Sequence, residues 1–260
     1  TKTWFVEPQS NKAKIVLDPN IDTNDIAFTQ SPSGTNAPNW RLVNKYNENL
    51  QGRNWEQILS SAITYAYAPQ AQEQWQAGHE LLSKLLNNHA LYASYRGSYR
   101  YYPQTQNSDF LSAYTALAYS WLENSSLPLK INIDKLLVSL TKLLEEETQP
   151  DNTLAQSMAL LALSANEAIN LEQALEFIQK MGALNKQHNQ AKILQALSVK
   201  LLGAEQQYSA IVKDLYKQQY IDTFSSLFNQ NSYQCFAAMA FENTPEYEAD
   251  YANTVKEVVA

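Results

Sequence analysis

Residues 95–123 read YRGSYRYYPQTQNSDFLSAYTALAYSWLE, and this stretch decides the fold. An aromatic segment runs to Pro103, and the chain restarts at Ser108-Asp109 in a helical pattern. Ser108 suits an N-cap, because its hydroxyl oxygen can accept a backbone N–H that the first helical turn leaves free. Asp109 then sets a negative charge at the positive end of the helix dipole. Phe110, Tyr114, Leu117 and Trp121 recur at helical spacing, with Leu111, Ala118 and Leu122 on the adjoining stripe. The pattern predicts an amphipathic helix built to pack in a multi-helix body, preceded by an aromatic turn.

The same period extends in both directions. From Trp55 the stripe is Ile58, Leu59, Ala62, Ile63 and Ala66, stopped by Pro69, and the next runs from Trp75 through Gly78, Leu82 and Leu86. Downstream, helices are predicted over 133–144, 154–165, 171–181, 191–202, 204–216, 232–241 and 247–258. Gly182 and Gly203 stand where a helix end takes a left-handed residue, and Asn170 and Ser232 can cap the helices they precede. About ten helices in hairpins starting near 56, 108, 153, 187 and 232 form an αα-hairpin array. The fold class is all-α, and periodicity alone leaves open whether the hairpins close into an α/α toroid or stack as an open solenoid.

Composition agrees with helices. Six glycines in 260 residues are few against a usual share of roughly 7%, which disfavours barrels and phosphate-cradling loops. At 45% hydrophobic the chain can bury a sizeable core. A formal net charge of −7 with only 19 Lys and Arg argues against nucleic acid or an anionic membrane as partner. No run approaches the roughly 18 apolar residues of a membrane helix. With the single cysteine Cys235 no internal disulfide forms. The opening TKTWFVEP has neither Met nor a signal peptide, so the sequence reads as an excised part of a longer chain.

Residues 1–50 differ from the rest. Prolines at 8, 19, 32 and 38 separate short apolar runs, of which Trp4-Phe5-Val6 and Ile15-Val16-Leu17 suit strands. The division is therefore 1–50, an extended arm or the end of a preceding β-domain, and 51–260, the helical domain.

Catalytic and metal motifs are missing: there is no GxxxxGK[ST], GxGxxG, HExxH, GxSxG or CxxC. His79, His89 and His188 have no metal-ligand spacing; His79 reads as a packed or surface residue and the other two as exposed. Cys235 lies in SYQCFAAMAF without a basic neighbour to lower its pKa, so it reads as structural. Glu145-Glu146-Glu147 reads as a solvated helix end. Nothing calls for a cofactor or a metal. An α/α toroid enzyme acting on carbohydrate or prenyl substrates would need paired carboxylates, for which Asp109, Glu123 and Asp151 are the candidates. Tyr92, Tyr95, Tyr99, Tyr101 and Tyr102, with Arg96 and Arg100, suit an interaction platform or an aromatic hairpin folded onto the helices.

SDFLSAYTALAYSWLENSSLPLKINIDKLL, residues 108–137, resembles the thioester domain of bacterial alpha-2-macroglobulin-like proteins. The matching features are the glycine-aromatic stretch Gly97–Tyr102, Ser108-Asp109, Ser112-Ala113-Tyr114, and the Pro128 connection into Leu136-Leu137. GALNKQHNQAKILQALSVKLLGAEQQYSAIV and NSYQCFAAMAF are similar to the family's later Ala/Leu hairpin and closing helix, so the resemblance spans about 45–243. The family signature is Cys-x-Glu-Gln at the start of the first helix, where thiol and carboxamide join in an internal thioester. The matching positions are Asn54, Trp55, Glu56 and Gln57. An amide at 54 supplies no sulfur, so the motif is degenerate and covalent capture does not carry over.

The resemblance implies a non-covalent domain of a periplasmic, multidomain protease-trapping protein, with any membrane anchor in a part of the longer chain not present here. Its partners would be other domains of that chain and proteases or periplasmic proteins, and it would not be an enzyme. Asn54 would serve as an N-cap and Trp55 as a core or interface anchor, with Tyr95, Tyr99, Tyr101 and Tyr102 as a possible interaction surface. A helical-repeat protein-binding scaffold is the alternative outside this family.

Overall fold

The computed structural model describes residues 54–67, 72, 77–95, 97–182, 189–217, 236, 239 and 240. Among these, eight α-helices follow one another: α1 (Trp55–Tyr67), α2 (Gly78–Asn87), α3 (Asp109–Leu122), α4 (Ile133–Glu145), α5 (Thr153–Ala165), α6 (Leu171–Lys180), α7 (Asn189–Leu201) and α8 (Glu205–Lys217). A 3-10 turn, His89–Leu91, follows α2. The fold is all-α. The described residues contain no strand, only isolated antiparallel bridges of Tyr99 to Ala93 and to Ser108. None of the described helices is long and apolar enough to cross a membrane. The arm at 1–50, Pro69, Trp75, Arg96, His188, Ser232, Cys235 and the helix expected over 247–258 lie outside the described residues. Of the expected 232–241 helix, Phe236, Met239 and Ala240 are described, and all three are helical.

Local chemistry sets the helix ends. Ser108 Oγ accepts from Leu111 N at 3.2 Å and starts α3, and Asn132 Oδ1 does the same for Lys135 N at 3.1 Å in α4. Asn170 and Gln173 form a reciprocal capping box at α6. Two ends are Schellman motifs. After α7, Gly203 takes φ +76°, with Gly203 N bonded to Lys200 O and Ala204 N to Val199 O. After α5 the left-handed residue is Glu167 at φ 55°, with the same pair of bonds to Ser164 O and Leu163 O. Gly182 departs from the expectation: it is not left-handed, although its N–H bonds Gln179 O at 3.0 Å. A Cβ there would meet that same carbonyl oxygen at 3.0 Å, so crowding and not backbone sign favours glycine.

The helices form two layers. α1 packs on α3, α3 on α5 and α5 on α7, making an inner row. α2 lies on α1, α4 on both α3 and α5, and α6 and α8 on α7, making the outer row. α1 and α3 run the same way: Trp55 reaches Thr115, Ser60 reaches Tyr114 at 2.8 Å, and Tyr67 donates to Trp121 O. At the far end, Tyr208 of α8 donates to Ala240 O, while the Phe236 ring lies 6.4 Å from Trp121 of α3. Phe236 and Ala240 thus reach α3 and α8 respectively.

The expected amphipathic character of α3 is not what the structure has. Every residue from Phe110 to Ala118 is buried, as is Leu122, whereas Trp121 of the expected stripe is only half-buried. Neighbours on both sides and an outer helix leave α3 no free face. α5 is likewise buried from Gln156 to Ser164 and α7 from Gln190 to Val199. Hydroxyls inside these helices return to their own backbone: Thr115 Oγ1 to Leu111 O, Ser164 Oγ to Leu160 O, and Ser198 Oγ to Leu194 O, all within 2.8 Å. That removes the desolvation cost an unpaired hydroxyl would carry. Outer helices bury one stripe, such as Leu136, Leu140, Leu143 and Leu144 of α4.

Candidate functional site

The amino end of α1 brings Asn54, Trp55, Glu56 and Gln57, the four positions singled out from the sequence, together with the aromatic segment. Asn54 Oδ1 accepts from Gln57 N at 2.9 Å, and Gln57 Oε1 accepts from Asn54 N at 3.3 Å. The two amide side chains thus close a reciprocal capping box over the first turn. Both oxygens are engaged by backbone donors, and neither residue supplies a thiol.

Trp55 is fully buried. Its ring stacks with Tyr92, at a centroid distance of 5.1 Å and 23° between planes, and with Tyr99, at 5.8 Å and 13°. Stacked pairs of this kind contribute about 0.5–1.5 kcal/mol beyond their area. The indole Nε1–H donates to Thr115 Oγ1 of α3 at 3.0 Å, and Trp55 N donates to Tyr101 O at 2.9 Å. One residue therefore ties α1 both to α3 and to the aromatic segment.

That segment is a folded hairpin-like clasp. Tyr99 N donates to Ser112 Oγ at 2.8 Å, whose own proton goes to Ser108 O at 2.7 Å. Tyr99 OH meets His89 Nδ1 at 3.3 Å. His89 is thus half-buried and not the exposed residue its place near a helix end suggested, and burial holds its pKa below the ordinary value. Lys135 Nζ of α4 donates to Tyr95 O. Gly97 sits beside that lysine at φ +94°, where a Cβ would come within 3.3 Å of Lys135 Cγ. At the other tip, Tyr102 to Thr105 form a turn closed by Thr105 N to Tyr102 O, with Gln104 left-handed at φ 68°.

The four tyrosines singled out from the sequence separate into two kinds. Tyr99 is 4% exposed and belongs to the core, and Tyr101 is half-buried; Tyr95 at 81% and Tyr102 at 46% face outward. Burial pushes the Tyr101 hydroxyl up to about 12, and the charge of Glu56 adds to the effect. Burial of Glu56 in turn raises its carboxyl above the ordinary value. Sequence reasoning missed the partners that complete this centre, Tyr92 in its stacking role, Thr115 and Ser112. None stands at a distinctive spacing from Trp55, so no local signal marks them.

The three carboxylates considered for an enzyme are all exposed. Asp109 and Glu123 flank opposite ends of α3, about 20 Å apart at 1.5 Å per residue. His79 is exposed, with Nε2 3.0 Å from Ser126 O and its ring beside Tyr65. Among the described residues no group of three His, Cys, Asp or Glu is placed to hold a metal ion. Glu145 and Glu146 end α4 in the open, where Lys180 Nζ approaches Glu146 O at 3.5 Å. The contacts described at the amino end of α1 are hydrogen bonds and aromatic stacking.

No protein-family model matches the chain, and no curated protein matches it in sequence. Solved structures do match. The native conformation of E. coli alpha-2-macroglobulin, from cryo-electron microscopy, is similar over 87% of this chain, with a TM-score of 0.69 and 13% identity. A crystal structure of a mutant Salmonella alpha-2-macroglobulin is similar over 86%, also with a TM-score of 0.69 and 13% identity. A crystal structure of the carboxy-terminal portion of the native E. coli protein gives a TM-score of 0.64 at 12% identity. The match covers 16% of each of the first two proteins and 39% of the third fragment. This chain shares the fold of one helical part of bacterial alpha-2-macroglobulins, which are much longer chains.

Proposed function

We propose that this chain is the helical, thioester-type domain of a bacterial alpha-2-macroglobulin-like protein, and that it works without covalent chemistry. The observation that carries the reading is the reciprocal pair Asn54–Gln57 at the start of the first inner helix. It occupies the positions where the resemblance places the thioester cysteine and glutamine. Hydrogen bonds close the turn there, and the Gln57 carboxamide stays intact. The likeness in fold to E. coli and Salmonella alpha-2-macroglobulins supports the same reading independently of these four residues.

In this reading the domain contributes by packing against other domains of a longer periplasmic chain and by steric enclosure of a protease. Trp55 fixes the aromatic clasp from within, and the outward-facing Tyr95 and Tyr102 are the clasp residues available to a neighbouring domain. Methylamine treatment of the whole protein, followed by peptide mass spectrometry, tests the covalent part. Gln57 is expected to stay an unmodified glutamine, and N-methylation at Gln57 would overturn it. Protease challenge of the full-length protein tests the trapping part: a complex that SDS dissociates completely is expected, and the absence of any complex on gel filtration would refute it.

A further inference from the structure

We draw no further inference here: the strongest candidate, the outward surface patch of the aromatic clasp around Leu91 and Tyr95 beside α4, is an apolar face with nothing in the structure to show what covers it.

Discussion

α3 and α4 are consecutive helices of nearly equal length, 14 and 13 residues, each started by a side-chain N-cap. They are nevertheless opposite kinds of helix. α3 is in contact with α1, α4 and α5, and ten of its residues are buried. Among the described helices α4 packs mainly on α3 and α5, and it buries Leu136, Leu140, Leu143 and Leu144 along one stripe. The difference lies in how many neighbours each helix has, and it dictates composition. An inner helix needs small residues on the sides where neighbours approach, hence Ala113, Ala116 and Ala118 in α3. Its buried hydroxyls Ser112 and Thr115 bond backbone carbonyls four residues earlier. An outer helix can carry charge on any position off its stripe.

A charge placed in each layer gives the sharpest break of that comparison. Ala116 is completely buried, whereas Val138 of α4 is 57% exposed. Ala116→Glu buries a carboxylate without a partner, at a cost of several kcal/mol after relaxation, against a total stability of about 5–15 kcal/mol for an ordinary domain. Loss of the cooperative unfolding transition in circular dichroism is expected for Ala116→Glu. Val138→Glu is expected to stay within about 0.5 kcal/mol of the parent. Comparable losses in the two variants would contradict the two-layer assignment.

Trp55 extends the comparison to the very first residue of an inner helix. Trp55→Ala is expected to cost about 3–5 kcal/mol by denaturant melt, as for other large buried aromatics. Trp55→Phe keeps a ring beside Tyr92 and Tyr99 and loses the bond to Thr115, a cost nearer 1 kcal/mol. A Trp55→Ala variant as stable as the parent would show that the aromatic clasp is not anchored to α1.

The caps provide a finer test. Asn54 Oδ1 accepts from Gln57 N in a half-buried setting, whereas the equivalent bond from Lys135 N to Asn132 Oδ1 at α4 is exposed. Loss of an Asn cap costs about 0.5–2 kcal/mol. Where the freed N–H is partly shielded from water the penalty falls toward the upper end. Thermal melts should therefore rank Asn54→Ala below Asn132→Ala in stability. The reverse order would mean that water reaches the amino end of α1 freely.

Which parts of this were legible in the sequence follows from how local the causes are. The helix boundaries at Ser108, Asn170, Gly182 and Gly203, each marked by a cap or a Gly, lie within a residue or two of expectation. Those signals act over three or four residues. The all-round burial of α3 was not legible, because Tyr114 and Thr115 are filled in by α1, 54 and 60 residues earlier. For the same reason the tyrosines of the clasp looked alike although Tyr99 is core and Tyr95 is surface. Glu167 shows a different limit: it takes a left-handed conformation that a glycine would adopt without cost, held by two Schellman bonds that its identity does not announce. At the candidate site, the N-cap role of Asn54 was readable, and the stacking of Trp55 with Tyr92 and Tyr99 was not.

The smallest expected effect concerns charge at the boundary between the layers' interior and water. Glu56 lies in the first turn of α1, where the helix dipole favours a carboxylate by about 0.3–1 kcal/mol. Burial works against it and prevails, so the folded pKa lies above the ordinary 4.5. The sign follows from linkage. Below pH 4.5 the group is protonated in both states and imposes no cost. As pH rises, the unfolded chain releases its proton first, and stability is lost until the folded group has ionised as well. Glu56→Gln removes this term, so its stability relative to the parent should grow from pH 4 to neutrality. The same substitution removes the negative charge that helps hold Tyr101 near 12, so the Tyr101 phenol should ionise at lower pH in an absorbance titration. If stability instead fell at neutral pH on removal of the charge, the dipole would outweigh burial, and the amino end of α1 would belong with the solvated outer helices.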